Sequence, residues 1–197
     1  MANLTHIQQY GNQLKAIFDD GTFKLALPTG NDLWLISGTG GSNPPDLGSG
    51  DFMWPIPLNY VTSEYGPRTG GAGTFHEGID LSTGGGYEIK AAGAGTVEAN
   101  YFHNNFGNMI IIDHGILSDG ERYRTLYAHM VNPSPLAVSS TVAKGDIVGI
   151  EGESGGAYGA HLHLEVHKGA TIVWNLYNNG GYRSAINPRD FMTTFGE

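Results

Sequence analysis

Residues 161–167 read His161-Leu162-His163-Leu164-Glu165-Val166-His167, an alternation without a break. Histidine or glutamate holds every odd position, and leucine or valine every even one. A period of two belongs to a β-strand, whose successive side chains point to opposite faces. One face of this strand is apolar and seeks a core, while the other carries three imidazoles and a carboxylate. Working outward, further β-like segments surround it: Ile79-Asp80-Leu81, Glu88 to Ala92, Gly95 to Asn100, Asn108 to His114, Arg124 to His129 and Ile147 to Glu151. The run Asn108-Met109-Ile110-Ile111-Ile112-Asp113-His114 is the strongest of these. Glu88 to Ala92 and Gly95 to Asn100 suggest a strand pair turning around Gly93. No amphipathic helix longer than about two turns stands out. The fold class is mainly β, a compact antiparallel sheet domain.

Composition agrees. The chain has 31 Gly in 197 residues, roughly twice average usage, which suits tight turns and disfavours a helical bundle. The glycines have no three-residue period, so collagen is excluded. Hydrophobic residues at 40% and aromatic residues at 11% suffice for a core and argue against global disorder. Ten Lys+Arg against 19 Asp+Glu give a net charge of −9. An acidic chain without basic clusters does not fit nucleic acid as a partner, since phosphate binding needs cationic side chains. With no Cys, disulfides, Cys-based zinc sites and thiol catalysis are all excluded. No apolar stretch reaches about 18 residues, so no membrane insertion is expected.

Residues 1–37 read as a small N-terminal β-meander. Asn12 to Phe18 and Thr22 to Leu27 flank Asp19-Asp20-Gly21, an Asp-Gly hairpin signal, and Leu33 to Ser37 follows as a third strand. Residues 38–50, GTGGSNPPDLGSG, lack periodicity and apolar content and read as a Gly-rich linker. Residues 51–197 then form the main domain. The start, MANLTHIQQYGNQLKAIF, shows no basic region followed by an apolar one, so no signal peptide is read there.

Six of the eight histidines fall between positions 103 and 167. His161 and His163, two apart in a strand, place their side chains on one face about 6–7 Å apart. Glycine-rich sequence, Gly152 to Gly159, leads straight into them. One of the pair can ligate a metal while the other stands over the same cavity; a polar outer face of an edge strand is the simpler alternative. His76 and Asp80, four positions apart with Gly78 between them to let the backbone bend, can converge on one ion. His129 follows the apolar run Leu126-Tyr127-Ala128 and is a third candidate, though such a histidine is often a satisfied core residue. Two imidazoles and a carboxylate suit a catalytic zinc, which keeps three protein ligands and an open fourth position. Further imidazoles nearby can handle a proton or steady a developing oxyanion.

The order His76-x-x-x-Asp80, Tyr127-Ala128-His129, His161-Leu162-His163 resembles the lysostaphin/LytM family of zinc peptidoglycan endopeptidases. Tyr65-Gly66-Pro67-Arg68, Ala91 to Val97, Phe106-Gly107-Asn108, Ile111 to Gly115, Lys144-Gly145-Asp146, Gly159 to Glu165 and Asn187-Pro188 also match, so the resemblance runs from about residue 54 to 192. It implies a compact antiparallel β-sheet metallopeptidase domain with a groove walled by loops. It implies Zn2+ held by His76, Asp80 and His163. His129 and His161 would flank a metal-activated water and the scissile carbonyl as general base and transition-state stabiliser, in an order left open. The implied substrate is bacterial cell-wall peptidoglycan, cut in the stem peptide or cross-bridge. All five positions are intact, whereas a catalytically silent wall-binding or regulatory module on the same fold need not keep them. Glu77 after His76 and Ala160 before His161 depart from the family pattern, and neither removes a required group. Glu88 to Val97 also has the flavour of a biotinyl/lipoyl carrier hairpin. Lys90 is not at its tip, however, and that reading leaves all five residues without a role.

A wall hydrolase read without a signal peptide suggests a phage origin, as a holin-released lysin or a virion tail component. The N-terminal segment would then dock it to virion or tail proteins, the favoured role, or else bind the wall or pack on the catalytic domain. The remaining histidines take plain readings: His114 capping a turn, His103 solvent-exposed, His167 farther along the strand and outside the ligand set. Tyr127 and Tyr158 are expected to pack.

Overall fold

The computed structural model describes residues 4–10, 13–18, 22–29 and 32–39 as strands, and then residues 52–69, 73–169, 172 and 184–196. The N-terminal strands are β1 (Leu4–Tyr10), β2 (Gln13–Phe18), β3 (Thr22–Thr29) and β4 (Asp32–Thr39), hydrogen-bonded in chain order into an antiparallel sheet. The meander thus has four strands rather than three. Its first strand went unread because Gln8-Gln9 interrupts the apolar–polar alternation. The Asp19-Asp20-Gly21 turn, and the linker from residue 40 onward, lie outside the described residues.

The remaining elements are β5 (Val61–Ser63), β6 (Gly66–Pro67), β7 (Phe75–His76), β8 (Ile79–Leu81), β9 (Glu88–Lys90), β10 (Gly95–His103), β11 (Gly107–Ile116), β12 (Arg122–Met130), β13 (Thr141–Val142), β14 (Ile147–Ile150), β15 (Leu162–Lys168), β16 (Ala185–Ile186) and helix α1 (Pro188–Phe195). The large sheet runs β13-β10-β11-β12-β15-β8-β5, with β16 added to one end of β15, and every ladder in it is antiparallel. The alternating stretch at 161–167 is its pivot, because β15 pairs with β12 on one side and β8 on the other.

Both faces of this sheet are covered. Leu162, Leu164 and Val166 join Ile110, Ile112, Tyr123 and Tyr127 in the main core, over which α1 packs Phe191, Met192 and Phe195. The helix begins where Asn187 accepts a hydrogen bond from the Arg189 N–H at 3.0 Å, with proline at its first position. On the opposite face Phe106, Met109, Ile111, Leu126 and Ala128 form a second cluster. Residues paired directly across a ladder share a face. The register Ala128↔His163, Leu126↔Glu165 and Arg124↔His167 therefore puts the polar side of β15 beside that cluster. This polar face is buried, not a solvent-facing edge: His163, Glu165 and His167 are 7%, 1% and 1% exposed.

The expected strand pair around Gly93 does not form. β9 pairs with β14, while β10 pairs with β11 and β13. The connection from Ala91 to Ala94 is instead pinned by long-range bonds. The Ala91 N–H reaches the Asp146 carbonyl at 2.7 Å, and the Ala92 N–H reaches the Tyr127 hydroxyl at 2.8 Å. Tyr127 is packed in the core, where burial pushes its phenol up to about 12. His114 caps no turn. It lies inside β11, 1% exposed, its Nδ1 donating to the Ala94 carbonyl and its Nε2 meeting the Thr125 hydroxyl, each at 2.8 Å. Burial pushes its pKa down to about 4. Tyr158 does not pack, being 92% exposed. His103 is half-buried rather than exposed, and its Nδ1 accepts from the N–H groups of Asn105 and Phe106 at 3.3 and 3.4 Å.

Candidate metal centre

Three adjacent strands deliver most of the site. β8 contributes Asp80, directly opposite His163 of β15, and β12 brings His129 to the same end of the sheet. His76 arrives from β7, which among the described residues pairs with β6 alone. Gly78, between His76 and Asp80, works by its lack of a side chain. A Cβ there would stand 2.4 Å from the Leu164 carbonyl oxygen and 2.8 Å from His163 Cε1, so the segment reaches the β15 backbone only as glycine. Its φ is not in the left-handed region, so close approach, and not the expected bend, is what requires it.

His129 is held by a different device. The register between β11 and β12 slips between the Asn108↔Met130 and Ile110↔Tyr127 pairs, leaving two residues of β12 opposite one of β11. Such a β-bulge re-aims a side chain. His129 occupies it with a φ of +61°, a left-handed conformation that costs a non-glycine residue about 1–2 kcal/mol. The loop from Gly152 to Gly159 supports it. The Ser154 carbonyl accepts the His129 Nδ1–H at 2.8 Å, while the Ser154 hydroxyl donates to the Met130 carbonyl at 2.6 Å and accepts the Asn108 N–H at 2.9 Å. The same loop closes on itself through a bridge between Gly152 and His161.

His76 Nε2 lies 3.1 Å from both Asp80 Oδ1 and His163 Nδ1, and the latter two are 2.8 Å apart. His76 Nδ1 donates to the Glu64 carbonyl at 2.7 Å, which leaves Nε2 as the lone-pair nitrogen. Arg68 caps the other oxygen, Asp80 Oδ2, at 3.2 Å and also donates to the Ser63 hydroxyl at 3.0 Å. Two imidazole nitrogens and a carboxylate oxygen thus converge on one point, where a cation would satisfy all three. Without one, a proton serves. Burial opposes charge on His163, but its hydrogen bonds to Asp80 and Glu165 prevail and push its pKa up to about 9. Burial likewise opposes the Asp80 carboxylate, and hydrogen bonds from His163 and His76 hold its pKa well below the usual range. Two imidazole nitrogens and one carboxylate oxygen fit a divalent metal with an open coordination position.

His161 and His129 flank this cluster. His161 Nε2 stands 3.7 Å from Asp80 Oδ1, and its Nδ1 donates to the Gly159 carbonyl at 2.8 Å. The His129 and His161 rings are 4.6 Å apart, and those of His129 and His163 are 6.0 Å apart. Burial pushes the His129 pKa down to about 4, so the imidazole is neutral near pH 7. All five residues line one cleft of about 840 Å³, which Phe75, Asn105 and Tyr158 help to wall. The structure therefore brings together every residue singled out as a candidate, and leaves His103, His114 and His167 outside the cluster. Arg68 belongs to the site without having been singled out. Its place in the Tyr65-Gly66-Pro67-Arg68 block was the available signal. Glu77 also lines the cleft, and burial raises its pKa.

Residues 74–178 match the peptidase family M23. The catalytic domain of lysostaphin from Staphylococcus simulans is 27% identical and superposes with a TM-score of 0.54, covering 69% of this chain and 94% of that one. A catalytic-domain variant of EnpA, a prophage-encoded M23 protein of Enterococcus faecalis, is 29% identical with a TM-score of 0.54, covering 70% and 95%. Among curated proteins, the peptidoglycan DD-endopeptidase ShyA of Vibrio cholerae is 30% identical over 118 residues, 59% of this chain and 25% of its own length. An uncharacterized metalloprotease of Haemophilus influenzae is 31% identical over 127 residues, 61% of this chain and 26% of its own length. The chain thus spans about a quarter of the length of these curated relatives. The large antiparallel sheet is the lysostaphin-type fold. The matched segment exceeds half of the chain and takes in His76, Asp80, His129, His161 and His163, and on that ground the chain belongs to peptidase family M23.

Proposed function

We propose that this chain is a zinc-dependent endopeptidase that hydrolyses peptide bonds in bacterial cell-wall peptidoglycan, in the stem peptide or cross-bridge. The observation that carries the reading is the convergence of His76 Nε2, Asp80 Oδ1 and His163 Nδ1 within 3.1 Å of one another. Those three residues would hold the zinc. When bound, zinc acidifies water and polarises a substrate carbonyl. The chain's own contribution is a pair of imidazole acceptors beside that carbonyl. His129 and His161 each commit Nδ1–H to a main-chain carbonyl and keep Nε2 free. One takes the proton of the attacking water on Nε2, and the imidazolium so formed stabilises the developing oxyanion. The wall substrate is supported by the activity that ShyA's name records.

Delivery by a phage particle or a holin-released lysin is part of the proposal, supported by the prophage-encoded relative EnpA. The four-stranded sheet of residues 4–39 is then the candidate docking element for virion or tail proteins, separate from a catalytic domain over 51–197. Among the described residues no helix is long and apolar enough to cross a membrane. The deciding experiment is mass analysis of fragments released from purified walls of different cross-link type, with zinc and with chelator. Zinc-dependent release of peptide fragments from at least one wall type is expected. Walls left intact by a zinc-loaded chain would instead indicate a silent wall-binding module.

A further inference from the structure

Behind the metal-facing cluster lies a second, fully buried set of polar groups. Glu165 is 1% exposed, and each of its oxygens meets a different imidazole: Oε1 stands 3.0 Å from His163 Nε2, and Oε2 stands 2.6 Å from His167 Nε2. His167 is also 1% exposed, and its Nδ1 lies 2.9 Å from the Ser184 hydroxyl. Ser184 is anchored in turn, because its carbonyl accepts the Lys168 N–H at 2.7 Å beside the β15–β16 ladder.

When His163 holds a metal, its own partners leave one arrangement of its protons. A carboxylate only accepts, so both imidazoles must donate through Nε2–H. A neutral His167 then has its lone pair on Nδ1, where the Ser184 hydroxyl donates. His163 likewise keeps its lone pair on Nδ1, the atom that faces His76 Nε2 and Asp80 Oδ1. A buried carboxylate is costly to keep unless it is fully bonded, and this one is placed where both bonds select a tautomer.

We propose that Glu165, braced by His167 and Ser184, is a positioning residue of the metal site that fixes the tautomer and ring plane of His163. The inference rests on the reading of His163 as a metal ligand. Glu165 is buried at the base of the cleft, with both of its oxygens taken up by His163 and His167. It acts through His163, and His167 acts through Glu165.

The test is zinc affinity of the full chain, measured by competition with a chromophoric chelator, alongside 15N spectra of the histidine side chains in the zinc-loaded protein. Glu165→Gln keeps the shape but offers one acceptor and one donor, so it cannot receive both Nε2–H groups. Zinc affinity should fall about 10- to 100-fold, and the His163 Nε2–H resonance should shift or vanish. His167→Leu should weaken zinc binding to a smaller degree, and His167→Gln, whose amide can still donate to Glu165, should restore it. If Glu165→Gln fails to fold, the two His167 variants decide. Unchanged zinc affinity and an unchanged His163 signal in Glu165→Gln and His167→Leu would overturn the inference, even if their unfolding temperatures dropped. A wild-type chain that binds no zinc would instead overturn the reading of the site.

Discussion

The rings of His129 and His161 stand 4.6 Å apart at an angle of 51°, and each gives its Nδ1–H to a main-chain carbonyl at 2.8 Å. The two share a tautomer but not a foundation. His161 is set by the carbonyl two residues before it, at the entrance to β15. His129 sits in a bulge with positive φ and depends on Ser154, 25 residues away. Both keep Nε2 free beside Asp80 and His163, the arrangement expected of a pair that exchanges protons with a reacting group instead of binding the metal.

His129→Ala should therefore retain the metal and lose hydrolysis, by about 10²- to 10⁴-fold for a general acid–base group. Zinc content and wall-lytic rate measured on one preparation check this. Turnover near the wild-type level would remove His129 from the chemistry. The substitution also relieves little backbone strain, since alanine is no better suited than histidine to a φ of +61°.

The cluster residues behave oppositely in this account. His76→Ala, Asp80→Ala and His163→Ala each delete one of three mutually facing donor atoms and should abolish stoichiometric zinc. Metal analysis after dialysis against a weak chelator reads the outcome directly. Full zinc retained by any one variant would take that residue out of the ligand set. Asp80→Asn is the finer probe, because it keeps an oxygen toward the imidazoles but gives up the charge that Arg68 now balances at 3.2 Å.

How much of this was legible follows from the range of each interaction. The period of two in 161–167 is local, and it identified the strand and the common face of His161 and His163 correctly. Whether that face meets solvent or core is not local. It depends on Phe106, Met109, Ile111, Leu126 and Ala128 arriving on the same side of the sheet, and so the burial of Glu165 and His167 could not be read. The strand pair around Gly93 failed for a similar reason. A Cβ at Gly93 would approach the Phe52 ring to 2.5 Å, so this glycine serves a contact with a distant aromatic and not a hairpin turn. His114 looked like a turn residue because Gly115 follows it, yet its two partners, Ala94 and Thr125, are 20 and 11 residues away.

Gly78 supplies a prediction about the scaffold. Alanine there would place its Cβ 2.4 Å from the Leu164 carbonyl oxygen, a backbone atom that cannot step aside without moving β15. Gly78→Ala should cost about 1–3 kcal/mol of stability and weaken zinc binding together, because His163 moves with the same strand. Thermal unfolding and chelator competition test the two effects. A variant with wild-type unfolding temperature would show that β7 and β8 have room to shift.

His114 makes stability depend on pH with a definite sign. Its pKa is about 4 in the folded protein, where burial disfavours the charged ring, against about 6.5 for an unfolded histidine. Between those values the unfolded chain binds a proton that the folded chain refuses. Stability from this residue is complete above pH 6.5 and is lost as the pH falls toward 4, at about 1.4 kcal/mol per unit. His114→Gln keeps a donor for the Ala94 carbonyl and an acceptor for the Thr125 hydroxyl but does not titrate. Urea denaturation at pH 7.5 and pH 5 should then show the wild type losing about 2 kcal/mol more than the variant. The buried His129 shifts in the same direction, but it is present in both proteins and cancels in the comparison. Equal losses would mean that the folded protein accepts a proton at His114, which its fully buried ring between Ala94 and Thr125 gives no room to solvate.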